Sequence, residues 1–278
     1  MPDTIKPVRA PALKRMKQHG EKIAMLTAYD ATMAGLLDRA GIDVLLVGDS
    51  LGMVVLGHDS TIPVTLDDMV HHTRAVSRGA RRALIVADMP FLSYQVSIGD
   101  SVRNAGRLIQ AGAAAVKLEG GDPVLDVVER LVDVGIPVMG HLGLRPQSLH
   151  QLGGYRKQAR SEEEAGRLIR EAQALEQAGA FAIVLEMIPD EVGRAVTDAL
   201  AIPTIGIGAG PYCDGQVLVS YDIFGLYEGN VPSFVKRFAE AGQAISEGTR
   251  NYIAEVRGGE YPETSKPKVV SLPNAAKI

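Results

Sequence analysis

Four apolar runs in this sequence end abruptly in a carboxylate. V-L-L-V (44–47) gives way to Gly48, Asp49 and Ser50, and L-I-V-A (84–87) runs into Asp88. A-A-V-K-L-E (114–119) closes on Glu119 with Lys117 two residues before it, and F-A-I-V-L (181–185) closes on Glu186. A run apolar on both faces marks a strand of a parallel sheet, and in α/β folds the C-terminal strand tips face the ligand crevice. Neighbouring strands lie about 4.8 Å apart, so Asp49, Asp88 and Glu119 at three successive tips can surround one cation. An all-oxygen set without cysteine favours a hard ion such as Mg²⁺, with some ligands bound through water. Taken singly, each acid reads better as a helix cap or an ion-pair partner. Their recurrence on consecutive strands favours the metal site.

Three further groups belong to the same rim. Lys117 and Glu119 share a face, with Leu118 on the other. Lys117 is then either the salt-bridge partner of Glu119 or a holder of a substrate carboxylate. His141, in G-H-L-G-L, is balanced between a structural and a functional role. G-I-G-A-G (206–210) suits a phosphate cradle and close packing alike. Cys213 has no basic neighbour in sequence and carries no catalytic expectation.

The elements that must position these residues alternate. Strands are expected over 22–29, 44–47, 84–89, 114–118, 137–140, 181–185, 203–207 and 217–221, with helices over 10–19, 30–40, 66–78, 102–111, 123–134, from Ser161, over 190–200 and over 233–256. Asp30, Thr65 and Ser161 are the expected N-caps. Two polar, Gly-rich excursions, 50–65 and 142–159, are too long for ordinary connections; the first reads as a lid or wall over the site. Eight strands without a G-x-G-x-x-G after the first favour a (β/α)8 TIM barrel over a doubly wound sheet. One barrel domain is expected over 1–257, with an arm or short helix in 1–20 and a loose tail over 258–278.

Composition narrows the class. The chain has 278 residues, 46% of them hydrophobic, enough for a sizeable core. With 29 Lys and Arg against 33 Asp and Glu there is no global basic field, so neither nucleic acid nor an anionic membrane is an expected partner. A single cysteine and no apolar signal core suit a soluble protein of a reducing cytoplasm.

Longer motifs carry a resemblance. G-D-S-L-G-M-V-V-L-G-H-D-S-T-I-P-V-T-L-D-D-M (48–69), D-M-P-F-L-S-Y (88–94), V-K-L-E-G-G (116–121), M-G-H-L-G-L-R-P-Q-S (139–148) and G-I-G-A-G-P-x-x-D-G-Q-V-L-V (206–219) closely resemble the ketopantoate hydroxymethyltransferase family, over residues 4–257. The resemblance implies a cytoplasmic α/β-barrel enzyme of pantothenate synthesis that forms a homo-oligomer, often a decamer. Its co-substrate would be 5,10-methylenetetrahydrofolate, its acceptor 3-methyl-2-oxobutanoate and its metal Mg²⁺. Carried over by position, Asp49, Asp88 and Glu119 look like the metal site, Ser50 and Lys117 like contacts to the oxo acid, and Glu186 like the base. Asp49, Asp88 and His141 are expected to border the same oxo acid. The chemistry agrees, since a Lewis acid stabilises the enolate left when C3 loses its proton. A carboxylate base for such an acid needs burial to raise its basicity, and Glu186 is the acid left over for that task, unliganded in an apolar pocket. A metal-dependent aldolase or oxo-acid lyase on the same fold is the nearest competitor, and a non-catalytic barrel stands far behind.

Overall fold

In a computed structural model, which describes residues 6–263, eight parallel strands close into a barrel. They are β1 (Ile23–Thr27), β2 (Val44–Val47), β3 (Leu84–Asp88), β4 (Ala115–Lys117), β5 (Val138–Gly143), β6 (Ala182–Glu186), β7 (Thr204–Ile207) and β8 (Gly215–Leu218). Each strand pairs with the next, and β8 pairs with β1. The expected (β/α)8 architecture is therefore the observed one.

Alternation along the strands builds two cores. Ile23, Met25, Val44, Leu46, Val86, Val184 and Ile205 point inward and fill the barrel, whereas Leu45, Val47, Ile85, Leu118, Ile183 and Leu185 point outward against the helices. The helix Ala10–His19 plugs the N-terminal end: Leu13 is fully buried in the inner core. Lys17 ties that helix down through Asp214 at 3.0 Å and the Thr197 carbonyl at 2.8 Å. The opposite, C-terminal end is thereby left as the open mouth.

The expected caps form. Asp30 accepts from the Met33 N–H, and Thr65 with Asp68 and Ser161 with Glu164 make capping boxes. Four expectations shift. β5 runs on past residue 140 because its pairing with β6 continues to Gly143 opposite Glu186, which places His141 inside the strand. The helix expected at 102–111 begins at Ile98, since the Ser97 side chain caps it by accepting from the Asp100 N–H. β8 ends at Leu218 instead of 221: the Ser220 N–H is drawn to Thr27 Oγ1 at 2.9 Å, and the chain turns into the short helix Ser220–Ile223. The last helix is Ala241–Gly258, not 233–256. Before it, the backbone N–H groups of Phe238, Ala239 and Ala241 bond to the carbonyls of Ile223 and Phe224, which overrides helical spacing. The expected loose tail lies outside the described residues from 264 onward. Among the described residues no helix is long and apolar enough to cross a membrane.

Candidate active site

A cavity of about 530 Å³ opens at the mouth, bordered by Asp49, Ser50, Asp88, Lys117, Glu119, His141 and Glu186. Every site residue expected from the sequence therefore reaches one space. The strand period accounts for this: Asp88 and Lys117 end β3 and β4 on the inward phase, and Glu186 follows Val184 on the inward phase of β6.

The carboxylates are held by a buried network. The Asp49 N–H donates to Asp88 Oδ2 at 3.0 Å. Gly48 leaves room for Ser50, because a Cβ there would lie 2.8 Å from Ser50 Oγ. Lys117 Nζ sits 2.8 Å from Asp88 Oδ1, so its partner is Asp88 and not Glu119. That oxygen has no hydrogen-bond donor aligned on it, so the contact is an ion pair off the hydrogen-bond axis. Gln147 joins the other two acids: its Nε2 donates to Asp49 Oδ2 at 2.8 Å and its backbone N–H to Glu119 Oε2 at 3.1 Å. Tyr94 fixes Gln147 by donating to its Oε1 at 2.7 Å. Ser50 Oγ lies 2.9 Å from the Tyr29 hydroxyl.

His141 stands between two acids, with Nδ1 3.4 Å from Glu119 Oε1 and Nε2 3.2 Å from Glu186 Oε2. Glu186 is thus not alone in an apolar pocket as the sequence suggested: His141 Nε2 lies beside it, off the hydrogen-bond axis. Burial and the Lys117 charge oppose protonation of His141, but its contacts to Glu119 and Glu186 outweigh them and raise it to about 9. The Lys117 ammonium is likewise held in its charged form: burial disfavours it, and Asp88, Glu119 and Asp49 more than compensate. Burial, then the charges of Asp88 and Glu119, lift Asp49 well above the usual carboxylate range. Burial also acts on Glu119, but His141, Lys117 and the Gln147 N–H hold it below its ordinary value.

These charges bear on a metal. Four carboxylates face one ammonium and one imidazolium, an excess of negative charge that a divalent cation would relieve. The raised proton affinity of Asp49, set first by burial, is increased by the same excess. The donors are all oxygen and suit Mg²⁺. Among the described residues, however, no three acid, histidine or cysteine side chains already converge as ligands. Asp49 and Glu119 each have one oxygen engaged by Gln147, so a direct contact from one or two acids, with water completing the shell, is the fit these residues offer.

The excursions form walls. Met53, Val54 and Thr61 from 50–65, and Leu144, Pro146 and Tyr155 from 142–159, line the cavity. The glycines of 206–210 serve packing: a Cβ on Gly208 would press on Phe234 and Met187, and one on Gly210 would press on the Asp190 side chain. Sequence reasoning did not single out Gln147, Tyr94 or Asp222. Gln147 and Tyr94 did stand in the motifs 139–148 and 88–94.

Residues 7–264 match the family model described as ketopantoate hydroxymethyltransferase. A 3-methyl-2-oxobutanoate hydroxymethyltransferase of Caldicellulosiruptor bescii is 58% identical over 255 residues, spanning 92% of this chain and 97% of its own length. The chain belongs to the ketopantoate hydroxymethyltransferase family. It is an enzyme, a hydroxymethyltransferase. A relative of the same name from Syntrophomonas wolfei is 55% identical, spanning 92% of this chain and 93% of its own. Among solved structures, a phosphonopyruvate hydrolase in complex with oxalate and Mg²⁺ superposes with a TM-score of 0.60 at 14% identity, covering 94% of this chain and 92% of that one. A 2,3-dimethylmalate lyase of the PEP mutase/isocitrate lyase superfamily gives 0.57 at 21%, covering 94% and 91%. At those identities the likeness concerns the barrel alone.

Proposed function

We propose that this enzyme transfers a hydroxymethyl group from 5,10-methylenetetrahydrofolate to 3-methyl-2-oxobutanoate, a step of pantothenate synthesis, with Mg²⁺ held by Asp49, Asp88 and Glu119, partly through water. The observation that supports it most is the joining of three buried carboxylates, Lys117, His141 and Glu186 in one cavity mouth. Mg²⁺, when bound there, would supply Lewis-acid stabilisation of the enolate oxygen. Lys117, kept charged by its acidic neighbours, receives the carboxylate of the oxo acid, and the Ser50 hydroxyl, steadied by Tyr29, donates to it. Glu186 takes the C3 proton. His141 stands 3.2 Å from it and 3.4 Å from Glu119, so through its charge a shift in one acid is felt by the other. Leu144, Val184 and Ile207 keep the isopropyl side of the acceptor dry.

Deuterium exchange at C3 of 3-methyl-2-oxobutanoate, without folate, tests acceptor, metal and enolisation together. Exchange that needs Mg²⁺, followed by hydroxymethyl product only when the folate donor is added, is the expected result. Product formed from free formaldehyde or pyruvate without folate would move the enzyme to the aldolase reading.

The proposal extends to assembly as a homo-oligomer, with ten subunits as the expected size. The helix Ala241–Gly258 buries no residue, and Ile245, Tyr252, Ile253 and Val256 lie on one exposed face of it. Light scattering on the full chain should return a multiple of the subunit mass, and Ile245→Glu with Tyr252→Glu should lower it. A monomer in the unaltered chain would end this reading.

A further inference from the structure

The cavity has a second polar feature, away from the carboxylate network. Asp222, in the short helix after β8, is only 6% exposed and borders the cavity. Its Oδ1 is enclosed and meets no donor. Its backbone is satisfied, the N–H by the Val219 carbonyl and the carbonyl by the Gly225 N–H, so the unmet need lies in the side chain alone. Arg237 is the cation that acts on it, but that guanidinium is engaged by Glu240 at 3.2 Å. Burial prevails and lifts the carboxyl to about 6. A buried carboxylate oxygen without a partner is costly, and a bound donor is one of the things that would satisfy it.

The surroundings indicate what would use it. Residues 227–235 fold over this side of the mouth, and Tyr227, Val231, Pro232 and Phe234 face the cavity, with Val54 nearby from the first excursion. A flat ring fits between apolar walls of this kind. The volume of about 530 Å³ exceeds what a five-carbon oxo acid fills, so a second, larger ligand has room. That ligand must bring donors, because a carboxylate repels the anionic oxo acid. The position is also suitable: Asp222 follows β8 and Asp49 follows β2, two strand spacings around the rim and on the order of 10 Å apart.

We propose that Asp222 recognises the pterin end of the folate donor, its carboxylate accepting from the N3–H and 2-amino edge while the ring lies against residues 227–235. This rests on the folate-dependent reading above. Two adjacent N–H donors on one edge of a flat ring match a carboxylate as an arginine fork does, and such charge-assisted pairs are the strong ones. The arrangement leaves the one-carbon unit on the side of the ring toward the oxo acid.

The test uses full-length enzyme with Mg²⁺ and oxo acid present, and calorimetric titration with tetrahydrofolate and with its 2-desamino-2-methyl analogue. Wild-type enzyme should bind the analogue about 10–100-fold more weakly than tetrahydrofolate, the loss of one hydrogen bond to a charged group. Asp222→Asn should weaken tetrahydrofolate by a similar factor and lose little more on the analogue, because both changes remove one contact. Folate-free C3 exchange in that variant should stay at the wild-type rate, and its melting temperature near neutral pH should not fall, since no native partner is lost. Equal affinity of wild-type enzyme for the two ligands overturns the proposal, whatever the variant does. So does undiminished tetrahydrofolate binding by Asp222→Asn, or a lowered melting temperature, which would mark a structural carboxylate. Wild-type enzyme that binds neither ligand would instead refute the folate-dependent reading itself.

Discussion

On the β2–β5 side of the mouth the charged side chains lean on one another. Asp88 accepts from Asp49 and pairs with Lys117, Gln147 spans Asp49 and Glu119, and His141 reaches Glu119. On the β7–β8 side the wall is apolar, comes largely from residues 227–235, and holds one carboxylate, Asp222, whose buried oxygen leans on nothing. The first side is preorganised: its groups are fixed before any ligand arrives, as stabilising developing charge requires. The second keeps an unmet acceptor, as selective binding of a donor-bearing ligand requires. Glu186, on β6, sits at the seam, beside His141 of the organised side, while Met187 and Phe234 of the apolar side both lie against Gly208.

The largest effect should come from the seam. Glu186→Gln keeps shape and leaves an oxygen beside His141, yet removes the proposed base. Folate-free C3 exchange should fall by about 10²–10⁴-fold while Mg²⁺ and oxo-acid affinities, measured by titration, stay within a few-fold of wild type. Exchange at the wild-type rate would place the base elsewhere, with His141 next in line.

Gln147 probes the organised side alone. Gln147→Leu deletes the donor to Asp49 and the acceptor for Tyr94, while the backbone N–H to Glu119 remains. Stability measured by urea unfolding should drop by about 1–3 kcal/mol, because a buried hydroxyl and a buried carboxylate each lose a partner. Mg²⁺ affinity in the presence of oxo acid should fall by about 10–100-fold, the usual effect of loosening a ligand's support. Unchanged Mg²⁺ affinity would mean that strand geometry alone holds the acids.

This division also separates what was legible in the sequence from what was not. Asp49, Asp88, Glu119 and Glu186 were readable because each ends a run whose burial is set by strand alternation, and the same period turned Lys117 inward and Leu118 outward. Gln147 and Tyr94 reach the site from irregular segments, where no period tells a side chain which way to point. Asp222 was hidden by a register error, since a strand drawn to 221 does not leave room for the turn that Ser220 makes onto Thr27. Residues 233–240 have helical spacing, but the Phe238 and Ala239 N–H groups bond back to the Ile223 carbonyl, and the Ala241 N–H to that of Phe224. Long-range backbone partners of this kind leave no local trace in sequence.

The smallest effect tests whether the two sides are separable at all. Gly208 has φ +61°, and a Cβ there would come 2.9 Å from the Phe234 ring and 3.1 Å from Met187 Sδ. Gly208→Ala therefore incurs the left-handed backbone penalty, about 1–2 kcal/mol for a residue with a Cβ. It also pushes two flexible side chains by a few tenths of an ångström. Phe234 belongs to the apolar wall, so the push narrows the space proposed for the folate ring. KM for the folate donor should rise several-fold and the melting temperature should fall slightly, with folate-free C3 exchange close to wild type. The informative exception runs through Met187. If its displacement carries to Glu186 one residue before, exchange will fall together with folate affinity. The seam would then be a mechanical link, through which occupancy of the apolar side adjusts the base on the other.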